Sequence, residues 1–254
     1  LAHSLWPIKM LGAMRVAGGR MAVRQLSTSG AQQAKVAVVL SGCGVNDGSE
    51  VTEAVAALVA LQGRGHTVAC FAPDKPQAHV IDHAHGQESE TSRNVLEESA
   101  RITRGEITPL SELKAADFEA LVVPGGFGAA KNLSDFGFNG ADMTVDPEMT
   151  AVLLDFHGAA KPMALCCIAP VLAAKVIDGV TVTVGQPDGE QWPFGGAVGA
   201  IESFGATHVP HEADGVCIDP ANKVVTAPAY MYAGSHHDAF TSVDNMIDAL
   251  DTML

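Results

Sequence analysis

Positive charge is scarce in this chain. Against 29 Asp and Glu it carries 15 Lys and Arg, a formal charge of −14 over 254 residues. Binding to a phosphate backbone rests on clustered cations, so nucleic acid is excluded as a partner. Long apolar runs are missing too: none approaches the roughly 20 residues a bilayer-spanning helix needs, and no membrane span is expected. The five cysteines (Cys43, Cys70, Cys166, Cys167, Cys217) include no C-x-x-C pair. Neither a zinc knuckle nor a disulfide framework is indicated. A bond between the adjacent Cys166 and Cys167 would be strained, so reduced thiols are expected. Residues 1–34 hold no acid at all, only Lys9, Arg15, Arg20 and Arg24 among Ala, Met, Leu and a Ser/Thr cluster. That is presequence composition. We expect 1–34 to be a mitochondrial presequence or a disordered tail, and 35–254 to be one folded domain of the mitochondrial matrix.

The remainder reads as alternating strands and helices. Val36-Ala37-Val38-Val39-Leu40 is a β-branched run of the kind buried on both faces of a parallel sheet. A glycine-rich turn, Ser41 to Gly48, leads into a helix expected over 49–62, followed by a strand over 67–71. A helix is expected at 94–103 and a strand at 121–123. Asp146-Pro147-Glu148 opens a further helix with an N-cap acid and a first-turn proline. Strands follow at 163–166, 180–184, 215–218 and 224–226, and a closing helix over 235–254. The alternation predicts one doubly wound, three-layer α/β/α sandwich with a mainly parallel sheet, whose ligands sit at the carboxyl ends of the strands.

Cys167 stands at such an end. The apolar strand Pro162-Met163-Ala164-Leu165-Cys166 runs straight into a helix pattern from Ile168, the arrangement of a nucleophile elbow with Cys in place of Ser. A sulfur beside a helix N-terminus is expected to have a lowered pKa and to favour the thiolate. Pro124-Gly125-Gly126-Phe127-Gly128 can aim a backbone N–H at an oxyanion, alongside the N–H of Ile168. Gly42-x-Gly44-x-x-x-Gly48 resembles a dinucleotide fingerprint, but Asp47 and Glu50 would repel a pyrophosphate there. From spacing alone, Asp47-Gly48-Ser49-Glu50 is a helix-capping arrangement. His79, His83 and His85 lie in no helical register, and neither a metal nor a cofactor is expected.

Val122-Val123-Pro124-Gly125-Gly126-Phe127-Gly128, Cys167-Ile168-Ala169-Pro170 and Asp47-Gly48-Ser49-Glu50 together resemble the ThiJ/PfpI group of class I glutamine-amidotransferase-like proteins. His79-Val80-Ile81-Asp82-His83, Arg101 to Ile107, Gly126 to Leu133 and Thr226 to Met231 resemble one branch of that group. It is the branch of ElbB-type isoprenoid-biosynthesis and mitochondrial glutamine amidotransferase-like class 1 domain-containing proteins. The resemblance spans 35–254. It implies a flavodoxin-like homodimer with Cys167 as nucleophile, Glu50 as its carboxyl partner, and the Gly126 and Ile168 amides as oxyanion hole.

The chain departs from that pattern where a base is needed. Class I glutaminases use a His oriented by an acid two residues on, and no His-x-Glu occurs here. Where glyoxalase and deglycase relatives carry a His, this chain reads Val184-Gly185-Gln186-Pro187-Asp188. His236 and His237, beside Asp238, are the remaining auxiliary candidates, and His157 reads as a helix C-terminal dipole partner. The expected function is cofactor-independent, glyoxalase-like attack by Cys167 on a small reactive carbonyl. The alternatives are a redox-sensing or metabolite-binding protein without catalysis, and a glutaminase-type subunit that needs a partner.

Overall fold

The computed structural model describes residues 33–254. The presequence reading falls on 1–34 and, except for its last two residues, lies outside the described residues. Seven strands form the central sheet: β1 (Lys35–Val39), β2 (Thr67–Ala72), β3 (Thr108–Pro109), β4 (Ala120–Val123), β5 (Met163–Cys166), β6 (Cys217–Asp219) and β7 (Val224–Ala227). Their order is β6-β7-β5-β4-β1-β2-β3, and every pair is parallel except β6 with β7. One row of paired residues, Cys70, Val38, Val122, Ala164 and Val225, crosses five strands. The central strands are buried almost end to end, as a sheet covered on both faces requires.

Helices α1 (Val51–Gly63), α2 (Val95–Thr103), α3 (Phe127–Lys131), α4 (Pro147–Gly158), α5 (Pro170–Val176), α6 (Gly196–Ser203) and α7 (His236–Asp251) complete the flavodoxin-like sandwich. α1 packs against α2 and α7, while α4, α5 and α6 form a second contacting group. Local chemistry fixes the helix starts. Asp146 accepts from the N–H groups of Glu148 and Met149, and Asn94 from those of Leu96 and Glu97. Ser235 and Asp238 form a reciprocal capping box on α7.

Several expectations shift. α1 begins at Val51 rather than 49, and its N-cap is Glu50, which accepts from Glu53 N–H at 2.8 Å. Asp47 is not part of that cap; its carboxylate accepts the Ile81 N–H at 2.7 Å. The strand expected at 180–184 is the pair Thr181–Val182, bonded to Thr207–His208 outside the main sheet. α3, α6 and the proline-containing edge strand β3 were not expected, because Gly-rich and Pro-containing segments read as loop.

Candidate active site

Cys167 follows β5 in the left-handed region, at φ +59°. A non-glycine residue there costs about 1–2 kcal/mol and persists only where neighbours fix it. Here the Cys167 N–H donates to the Ala227 carbonyl at 3.0 Å, and the Ala169 N–H to that of Cys166 at 3.0 Å. The turn after β4 presses on the elbow from one side. A Cβ at Gly125 would lie 2.4 Å from the Cys167 Cβ, and one at Gly126 2.3 Å from the Glu50 nitrogen. Glu50 N–H donates to Gly125 O, Phe127 N–H to Val45 O, and Gly128 N–H to Gly48 O, at 3.1, 2.7 and 2.8 Å. Three turns at strand carboxyl ends therefore meet backbone to backbone, as the sequence led us to expect.

The first of these turns is closed upon itself. Gly42 N–H donates to Ser99 Oγ, Gly44 N–H to Ser49 O, Asn46 N–H to His83 Nε2 and Gly48 N–H to Gly44 O. Its glycines serve turn contacts, and these amides are taken by the protein rather than offered to a phosphate.

The carboxyl group at the elbow is that of Glu53. Its side chain is fully buried and accepts the Gly125 and Tyr230 N–H groups at 3.0 and 3.1 Å, and its charge acts on the Cys167 thiol. The Cys166 sulfur lies 3.9 Å from the same carboxyl. The left-handed turn at Cys167 breaks the alternation of the strand, and both neighbouring thiols feel the charge of this one acid. Glu50, matched to this role by resemblance, instead caps α1 and lines the adjoining cavity. A sequence signal for Glu53 existed: it is the only charged residue in α1, among Val, Ala and Leu.

Electrostatics at the sulfur run opposite to the expected lowering. Burial, then the Glu53 charge, raise the Cys167 thiol well above its ordinary value. The N–H groups of Gly126 and Ile168 pull the other way, without prevailing. A helix N-terminus stabilises a thiolate only if desolvation and a neighbouring acid do not cost more. Glu53 is pushed up to about 8, chiefly by burial and then by the Glu50 charge. The resting pair is therefore uncharged at neutral pH and shares its protons.

The histidines divide. His236 is brought near: its Nδ1 is bonded to the Tyr230 hydroxyl and lies 3.2 Å from Thr52 Oγ1, while Tyr230 N–H holds Glu53. His237 lines a different surface depression with Glu212 and Asp238. Gln186 donates to Glu212 Oε1 at 3.0 Å. His157, in the last turn of α4, is bonded to Asn222 at 3.1 Å. His79, His83 and His85 flank a short hairpin, Ile81–Asp82 with Gln87–Glu88, and face Glu88, Asp47 and Asp82 separately.

Cys167 opens onto a cavity of about 380 Å³ bounded by Glu50, Gly126, Phe127, Ile168, Phe194 and Tyr230, among others. Among the described residues no helix is long and apolar enough to cross a membrane.

No protein-family model matches the chain. Over 250 residues it is 50% identical to the ES1 protein homolog, mitochondrial, of Rattus norvegicus, covering 97% of this chain and 92% of that protein. It is 54% identical over 217 residues to the glutamine amidotransferase-like class 1 domain-containing protein 3, mitochondrial, of Homo sapiens, covering 84% and 81%. A solved isoprenoid biosynthesis protein with an amidotransferase-like domain from Ehrlichia chaffeensis superposes with TM-score 0.78 at 32% identity, covering 87% of this chain and all of that one. A ThiJ/PfpI domain protein from Brachyspira murdochii shares the fold alone, with TM-score 0.50 at 17% identity over 85% of this chain and 96% of the other. An elbow cysteine on a ThiJ/PfpI sandwich, in a chain half identical to these relatives along most of its length, belongs to the ES1 family of glutamine amidotransferase-like class 1 domain proteins.

Proposed function

We propose that this protein is a mitochondrial, cofactor-independent enzyme in which Cys167 adds to a reactive carbonyl of the 2-oxoaldehyde type. The observation that carries the reading is an elbow cysteine at the wall of a cavity that Gly126 and Ile168 also line, beside a buried carboxyl (Glu53) bonded to the neighbouring Cys166 thiol and to the Gly125 N–H. The thiol proton passes to Glu53 as the C–S bond forms, and the C=O π pair collects on oxygen, where the Gly126 and Ile168 amides receive it. Glu53 returns the proton to that oxygen, giving a hemithioacetal. Its C–H proton moves to the neighbouring carbonyl carbon and its hydroxyl proton to that carbonyl's oxygen, by way of the ene-diol, which leaves a thioester, and water releases a 2-hydroxy acid and the free thiol. No electrons enter or leave. The composition of 1–34 and the mitochondrial names of the relatives support the matrix as its location.

Glu53 accepts the thiol proton only once ionised, so turnover rises with pH through about 8. Purified protein supplied with methylglyoxal is expected to form the 2-hydroxy acid, and Cys167→Ala to lose about a hundredfold or more in rate. Equal rates for the two proteins end the proposal. Peroxide sensing fits less well, because peroxide reacts with the thiolate and this thiol is held protonated. A glutaminase would need a base where Gln186 is bonded to Glu212.

The expected homodimer finds support on α1. Val51, Val55 and Val59 form an exposed stripe, and the one charge of the helix, Glu53, is buried. In a chain of net charge −14 this is a face on which two copies meet without repulsion.

A further inference from the structure

The lining of the cavity restricts what Cys167 meets. Phe127 and Phe194 stand edge to face with ring centroids 6.2 Å apart, and Phe136, Pro193, Ala197 and Met231 continue the apolar lining. None of the lining residues is basic. Lys131, the cation over the Phe127 ring, gives its ammonium to the Asn46 carbonyl at 3.0 Å. A carboxylate or phosphate brought here would face the Glu50 side chain with no counter-charge, in an apolar surround where that is costly. Size argues in the same direction. Taking roughly 30 Å³ per heavy atom, a water's share of liquid volume, the five heavy atoms of methylglyoxal leave more than half the cavity unfilled. The ten heavy atoms of an aryl 2-oxoaldehyde fit within it even at the same roughly 30 Å³ apiece, a generous allowance because bonded atoms pack closer than separate waters.

We infer that the site takes an uncharged aryl 2-oxoaldehyde, its ring lying against Phe127 and Phe194, in preference to short polar or anionic carbonyls. The inference rests on the reading of Cys167 as a carbonyl nucleophile. The covalent step is unchanged: a C–S bond forms at the aldehyde carbon, the C=O π bond opens, and the thiol proton ends on that oxygen through Glu53.

Two measurements separate this from the broader proposal. In the first, kcat/KM for phenylglyoxal is expected to exceed that for methylglyoxal by about tenfold or more, since a buried ring contributes much more than a methyl group. In the second, Cys167→Ala is titrated with the unreactive pair 2-hydroxyacetophenone and hydroxyacetone by calorimetry or NMR, and the aryl ligand is expected to bind about tenfold tighter or more. Phe194→Ala removes one ring. Gly196→Leu narrows the cavity at a position where an added Cβ meets nothing within 4 Å. Either change is expected to bring both ratios towards one, while iodoacetamide labelling of Cys167 reports an intact elbow. Tighter aryl binding without turnover of either aldehyde upholds the ligand class and ends the catalytic reading alone. Equal binding of the two ligands, or methylglyoxal turned over as well as phenylglyoxal, overturns the inference.

Discussion

A carboxyl group sealed from water keeps its proton, and Glu53 is such a group. Its pKa is raised from an ordinary 4.5 to about 8 in the folded protein. The stability this group contributes is thus fully present below pH 4.5 and is lost as the pH climbs towards 8. The slope from one such group is about 1.4 kcal/mol per pH unit within that window. Urea unfolding of wild type and Glu53→Gln at pH 5, 6, 7 and 8 should show this slope in the wild type and its absence in the variant. An unchanged slope would mean that Glu53 is not the buried acid described here. The absolute stability of the variant is less informative, because Gln turns an NH2 group towards one of the Gly125 and Tyr230 donors. The same residue sets chemistry: alkylation of Cys167 by iodoacetamide should be slow at pH 7 and accelerate through pH 8, and Glu53→Gln should move that profile.

At the scale of elements, the site is a meeting of three turns at the ends of β1, β4 and β5. Gly125→Ala places a methyl 2.4 Å from the Cys167 Cβ and 2.8 Å from Glu53 Oε2. It should cost about 1–3 kcal/mol, as overpacking does, and slow Cys167 labelling. Gly199→Ala, within α6 and with nothing within 4 Å of the added Cβ, should instead gain about 0.5–1 kcal/mol and leave labelling unchanged. Thermal melts and labelling of the two variants test the contrast. Much of this arrangement was legible in the sequence. The strand at 163–166, the cap at Asp146 and the elbow are set by residues adjacent in the chain. Glu53 was not, because the D-x-x-E spacing drew attention to Glu50. Which acid faces the sulfur depends on where α1 starts and on how it packs against β5 and Tyr230, contacts made across more than 100 residues. The lowered thiol pKa failed for a related reason: the turn shows a helix N-terminus, but burial is a property of everything around it.

Over the whole molecule, charge and exposed apolar surface decide assembly. Residues 35–254, without the four Lys and Arg of the acid-free segment 1–34, carry a net charge of −18 against −14 for the full chain. Surfaces so charged repel, and the α1 stripe of Val51, Val55 and Val59, 43%, 43% and 53% exposed, is where repulsion is least. If two copies pair through this stripe as proposed, the wild type should sediment as a dimer and Val55→Glu as a monomer without loss of fold. A wild-type monomer at micromolar concentration would rule the dimer out.

The interlocked glycines carry an evolutionary consequence. At Gly125, Gly126 and Gly128 even a methyl group would collide with a neighbouring turn, and at Gly48 with the Gly42–Cys43 backbone of its own turn. The floor beneath the sulfur therefore offers selection nothing to trim or enlarge by degrees. Within the segment from Pro193 to Ala197, Gly195 is held in the same way by the Pro187 carbonyl, at 1.9 Å from an added Cβ, but Gly196 meets nothing within 4 Å, and the neighbouring side chains of Phe194 and Phe136 line the cavity rather than the floor. Lineages that adapt this scaffold to new ligands should vary there while the floor stays frozen.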